Sequence, residues 1–199
     1  PTIVTKEKVV LVKEADLVAE AVKGAVPSLV SVYELRAKVP EKADVKTDTS
    51  KEPQEGDIER VFIGRGVFMG ATVVMTDPAV MKEGGKYVVK SLATGAETEV
   101  VSFKITTAGA YLTLEKAVGA TLSSGDSSAV QLGQTLIVLG GAERLRVTTG
   151  IISDLERNSD GIVQSLTLNA DAIAGNALIT MDGKLVALYE GDKWVLLVK

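Results

Sequence analysis

The sequence contains no cysteine and no histidine. The first absence excludes disulfides, thiolate-held zinc or iron–sulfur clusters, and cysteine nucleophiles. The second excludes every Ser-His-Asp triad, His-ligated zinc and imidazole-based pH switch. Aromatic residues are scarce, at 4%, and no lysine or arginine run stands out in a chain of net charge −4. The basic, aromatic-interleaved surface of a nucleic-acid binder is therefore missing. No apolar run approaches the roughly 18 residues of a membrane-spanning helix. No phosphate-binding loop is present, since Gly64-Arg65-Gly66 and Gly140-Gly141 are not followed by a helix. Those glycines read as barrel turns and strand kinks, and no cofactor is expected. The sequence opens at Pro1 with no initiator methionine. Either a preceding segment is removed or this is a trimmed part of a longer chain. Removal would imply an extracytoplasmic or extracellular protein.

The chain has 199 residues, of which 46% are apolar and 24% charged. That length suits one large domain or two small ones, with a core burying roughly 70% of the unfolded surface. Residues 2–13 are β-prone, with Ile3, Val4, Val9, Val10, Leu11 and Val12 set among lysines, and predict an extended arm or strand. Over 14–25 the period changes: Leu17, Val18, Ala21 and Val22 fall at helical spacing, with Glu14 and Asp16 near the N-terminus, where the helix dipole favours acids. Pro27 stops this helix, and 28–35 reads as a strand. Half of residues 36–59 are charged, with Pro40 and Pro53 among them and no aromatic, the composition of a charged insertion.

From 60 onward short strands alternate with turn signals. The expected strands are 61–63, 66–69, 72–76, 86–92, 98–105, 111–114, 135–139, 145–153, 161–168, 177–181, 184–189 and 194–198. Asp182-Gly183 between two apolar runs is a strong hairpin signal. The pattern predicts an all-β sandwich or pair of barrels after one N-terminal helix.

Chemistry other than a triad finds little support. A Ser/Lys dyad has no Ser-x-x-Lys at a helix start. The acidic pairs Glu97/Glu99 and Asp154/Glu156 read as solvated faces. Residues 154–161 faintly resemble a calcium loop, but they lack glycine at the sixth position and an acid at the twelfth, which is Ser165. They read as a polar hairpin, and no metal is expected. Tyr189 and Trp194 suit the filling of a barrel end.

Several segments, in order, resemble the trypsin-like serine proteases, most of all the HtrA/Deg type. AVKGAVPSLVSVY (21–33) resembles that family's entry helix and first strand. IGRGVFM (63–69) is similar to its G-S-G-F-I strand, with Arg65 in the serine's place. VMTDPAVM (74–81) resembles L-T-N-A-H-V-V, and AYLTL (110–114) resembles D-I-A-L-L-K-I. LSSGDSSAVQLGQTLIVLGG (122–141), VTTGIIS (147–153) and NADAIAGNALITMDGKLVAL (169–188) continue the series. The resemblance covers about 14–190 and implies two six-stranded β-barrels. The arm and helix would take 1–27, the first barrel 28–116 with the charged insertion 36–59, and the second barrel 117–199.

The departures carry the functional expectation. The family's catalytic His falls on Ala79, its Asp on Ala108 and its nucleophilic Ser on Ala177, and the Gly-Gly-Pro after the nucleophile is missing. A serine needs a base within hydrogen-bond reach to become a nucleophile at neutral pH, and this chain has neither the hydroxyl there nor an imidazole. The resemblance therefore implies a pseudoprotease and no enzyme. The expected function is a structural subunit that self-assembles, extending into an extracellular filament. The arm residues Ile3, Val4, Val9, Val10, Leu11 and Val12 would be the connector, because a strand without a partner in its own barrel can add to a sheet edge of a neighbouring copy. The alternative is a monomeric or small-oligomer module gripping a peptide or protein partner in the former substrate cleft. Neither reading calls for nucleic acid or a membrane span.

Overall fold

The computed structural model describes residues 13–38, 58–142 and 144–197. The connector residues Ile3, Val4, Val9, Val10, Leu11 and Val12, and residues 39–57 of the charged insertion, lie outside the described residues. Among the described residues one α-helix, α1, spans Glu14–Ala25, with Glu14 and Asp16 in its first turn and Lys23 in its last. Both ends thus carry the charge that the macrodipole favours. Pro27 sits in a 3₁₀ turn, Val26–Ser28, that redirects the chain into the first strand.

Six strands form a closed antiparallel barrel: β1 Leu29–Ala37, β2 Ile58–Phe68, β3 Val73–Thr76, β4 Lys86–Ser91, β5 Glu97–Thr106 and β6 Gly109–Leu114, in the order β1-β2-β3-β6-β5-β4. Closure leaves no free edge. Val30, Val32, Phe68, Val74, Val89 and Leu112 fill the interior. The expected strands 61–63 and 66–69 are one strand here. Gly64-Arg65-Gly66 continues the ladder against Val32, Ser31 and Val30, with a bulge where Val32 pairs Gly64 and Tyr33 pairs Phe62. Gly66 is required by packing, because a Cβ there would lie 2.6 Å from a Val74 methyl. The expected strand 28–35 begins one residue later and runs on to Ala37.

The second six-stranded sheet comprises β7 Thr135–Gly140, β8 Arg146–Arg157, β9 Val163–Leu168, β10 Ala177–Ile179, β11 Leu185–Glu190 and β12 Lys193–Leu196. Its order is β12-β11-β10-β7-β8-β9. The outermost strands, β9 and β12, lie side by side, so the sheet curls into a nearly closed barrel. Trp194 packs into its core and meets Tyr189 edge-on at 5.1 Å. The Asp182-Gly183 hairpin forms as expected: Gly183 has φ +78°, and its N–H donates to the Thr180 carbonyl at 2.9 Å. This turn ends β10 at Ile179, two residues before the expected strand end. At the β8–β9 turn, Asn158 Oδ1 accepts from the N–H groups of Asp160 and Ile162, a side-chain-built polar hairpin.

The barrels share a core. Ala21 and Ala25 of α1, Val67 and Met75 of the first barrel, and Ile137, Leu139 and Ala177 of the second pack in one cluster. Arg65 fastens the seam. Its Nε donates to the Gly141 carbonyl and one Nη to the Ala142 carbonyl, each at 2.8 Å. The other Nη donates to the Ser31 hydroxyl at 2.5 Å.

Phe68 is wholly buried, and a Cβ on Gly119 would meet its ring at 2.4 Å. Phe68→Ala is expected to lower stability by about 3–5 kcal/mol, read as a lower urea midpoint at unchanged slope. A midpoint shift worth less than about 1 kcal/mol would contradict this packing role.

Candidate functional site

The three alanines stand on different elements. Ala79 is exposed in the 3₁₀ turn Pro78–Val80 that follows β3, and its N–H donates to Asp77 Oδ1 at 2.7 Å. Ala108 is half-buried in the β5–β6 turn, its N–H donating to Thr106 Oγ1 at 3.2 Å. Ala177 opens β10, pairs with Leu139 on one side and Leu188 on the other, and is wholly buried. The segments bearing them converge on the end of β11. Asp77 Oδ2 accepts from the Gly191 N–H at 2.9 Å. A Cβ on Gly109, next to Ala108, would lie 2.7 Å from Glu190 Oε1. The Gly175 N–H donates to the Tyr189 carbonyl, and the Tyr189 N–H donates to the Asn176 carbonyl.

An acyl-transfer site needs free N–H groups beside the nucleophile to receive the developing oxyanion. Here the Gly175 N–H is bonded to Tyr189 at 3.0 Å, and the Asn176 N–H to the Ile173 carbonyl at 3.0 Å. Beyond Ala177, Leu178 and Ile179 continue directly as core strand. The cavity against Asn176, bounded by Gly140, Arg146 and Asp171, holds only about 70 Å³.

Two acids meet at this convergence that sequence reasoning did not pair. Asp77 is 1% exposed and Glu190 7%. Among the described residues, Glu190 Oε1 is a buried side-chain oxygen with no hydrogen-bond partner. Burial first, and the Asp77 charge second, push the Glu190 carboxyl up to about 7, against the opposing pull of Lys193. The signal available in sequence was phase: Glu190 falls on the same face of β11 as Leu188, where an acid is out of place. Asp77 carried the usual mark of a residue capping a turn before proline. Neither mark announces a partner.

A separate groove of about 680 Å³ runs between α1 and the β10–β11 hairpin. Leu17, Ala21, Leu122 and Met181 give it an apolar floor, and Glu20, Asp182 and Lys184 line its rim. Lys184 sits 2.7 Å from Asp182.

Because the folded chain favours protonated Glu190, the stability this group contributes is full below pH about 4.5 and lost as pH rises through about 7. Glu190→Gln should match the parent near pH 4 and exceed it at pH 8, by at most about 2–3 kcal/mol. Thermal unfolding at both pH values checks this. An equal gain at both would remove ionisation as the cause.

No family profile matches the chain, and no curated protein is similar to it. Solved structures are. An HtrA-type protease AlgW with a decapeptide is 22% identical, with a TM-score of 0.70, and the match covers 87% of this chain and 58% of that one. The same protease with a tripeptide is 21% identical, with a TM-score of 0.60, covering 86% of this chain and 53% of that one. The chain thus spans less than two thirds of the structures it matches, and at this identity the likeness speaks for architecture. The two docked six-stranded barrels have the trypsin-like fold of the HtrA-type proteases.

Proposed function

We propose that this chain is a non-catalytic subunit on a trypsin-like frame, a pseudoprotease that assembles with copies of itself. The observation that carries the loss of catalysis is Ala177: the nucleophile position is a methyl group, wholly buried and paired on both sides in a core strand. The bonded N–H of Gly175, two residues before Ala177, supports the same reading, since an oxyanion would have to break that bond.

The assembly element in this reading is the arm of residues 2–13, less Lys13, which caps α1; closure of the first barrel leaves it no sheet edge there, so the receptor in this reading is the groove along α1 of a second copy. Val9, Val10, Leu11 and Val12 match the apolar floor at Leu17, Ala21, Leu122 and Met181. Lys6 and Lys8 suit Glu20 on the rim. Eleven extended residues reach about 36 Å, twice the roughly 18 Å length of a twelve-residue helix, so the arm has the reach to leave its own body and run along a neighbour. Donation of this kind is head-to-tail and propagates as a filament unless its rotation closes a ring.

Two experiments test the proposal. The protein should neither cleave casein nor label with a serine-reactive phosphonate, and Ala177→Ser should not change that. Labelling of any serine above background would end the non-catalytic reading. Light scattering and negative-stain imaging should reveal a polymer for the full chain and a monomer after deletion of residues 1–12. A full chain that is monomeric, or a truncated chain that still polymerises, would overturn arm donation; the first result would favour a module that grips a peptide in the former cleft.

A further inference from the structure

Arg65 is a permanent cation held almost out of water, 3% exposed. Burying a charge is costly unless an opposite charge lies beside it, and burial pulls the Arg65 pKa down. Its partners are nonetheless neutral: the carbonyls of Gly141 and Ala142, the Ser31 hydroxyl, and the face of Phe62 at 5.5 Å. Among the described residues no carboxylate forms an ion pair with it. A guanidinium carries five N–H donors. Three are spent on fastening the seam, which leaves two.

Beside Arg65 lies a cavity of about 330 Å³, bounded also by Ser31, Tyr33, Lys90, Ser91 and Leu145. Among the described residues no acid lines it. Lys90 brings a second cation to its wall and is engaged only loosely, 3.5 Å from a Glu97 that Arg60 holds at 2.6 Å. The Ser31 hydroxyl accepts from Arg65, and the Ser91 hydroxyl accepts from the Thr94 N–H, so each keeps its own proton to donate. The seam-fastening role accounts for three N–H groups. It does not account for a buried charge that has no counter-ion among the described residues and opens on a cavity lined by donors.

We propose that this cavity binds a small organic carboxylate, whose oxygens take the two remaining N–H groups of Arg65 while Ser31, Ser91 and Lys90 donate from the walls. The planar guanidinium fork suits a carboxylate. The volume is at the small end of ligand sites, which start at about 300 Å³, and so admits a short mono- or dicarboxylate or the last residue of a peptide. The site shares no lining residue with the α1 groove and includes none of the three alanines, so it is independent of the assembly reading.

Calorimetric titration of the full chain tests it, with succinate, with an N-acetylated tripeptide bearing a free C-terminus, with its amidated counterpart, and with inorganic phosphate. Saturable binding of succinate identifies a free carboxylate as ligand. Binding of the free-acid tripeptide but not the amide identifies a chain terminus. In either case Arg65→Lys, which keeps the charge but not the fork, should weaken binding at least about tenfold. Arg65 also fastens the barrels, so a second variant separates binding from folding: Lys90→Met, at an exposed side chain, should weaken binding about fivefold in a fully folded protein. No saturation by any carboxylate up to about 10 mM, phosphate binding as tightly as the carboxylates, or an affinity unchanged in Lys90→Met would each overturn the proposal.

Discussion

Two barrels hold one relative position only if something fixes their seam, and here the fixing runs through Arg65. Its side chain holds the Gly141 and Ala142 carbonyls, while its backbone N–H donates to the Ala174 carbonyl at 3.3 Å. Its own carbonyl accepts from Thr76 Oγ1 at 2.5 Å. Gly175 lies so close that a Cβ there would fall 1.8 Å from the Arg65 carbonyl oxygen, and its φ of +73° suits glycine in any case. One residue of the first barrel is thereby clamped to two separate segments of the second. Residues 174–177 lead straight into β10, so the position of Ala177 is set by this clamp. Asp77, one residue past Thr76, is carried to Gly191 by the same contact.

Much of this architecture is legible locally. Helical spacing, acids at the N-terminus and Pro27 mark α1, because those signals act within a few residues of where they are written. Asp182-Gly183 marks its turn for the same reason. The two-barrel arrangement required the resemblance, since short alternating strands are common to sandwiches and barrels alike. The misreading at 61–69 has a tertiary cause. Gly66 is glycine because Val74 and Val30 crowd its face, and crowding by strands elsewhere in the sequence looks the same, in one dimension, as a turn.

The site was legible only in part. Ala79, Ala108 and Ala177 could be named by resemblance, and their segments do meet on Tyr189, Glu190 and Gly191. What composition could not convey is what fills that ground. Asp77 and Glu190 are distant in sequence, and neither the turn-capping mark of the one nor the strand phase of the other names a partner. Only the docking of the barrels buries them together. Arg65 was visible as a departure from a serine, yet its burial depends on the same docking.

The distribution of unsatisfied polarity sharpens the functional argument. A hydrolase keeps donors idle around its nucleophile until substrate arrives, and here the donors flanking Ala177 are bonded to the chain itself. Idle polarity has not vanished from the fold. Among the described residues it stands at two groups at the seam: Glu190 Oε1, which has no hydrogen-bond partner, and the Arg65 guanidinium, whose hydrogen-bond partners are all neutral. Apolar replacements of buried charges are often neutral or stabilising, so neither charge is needed for burial alone. Conflicts between local chemistry and global packing mark the positions at which a chain serves something other than its own folding. By that measure the residue to follow is Arg65, whose charge, bonded only to neutral groups among the described residues, faces an open cavity.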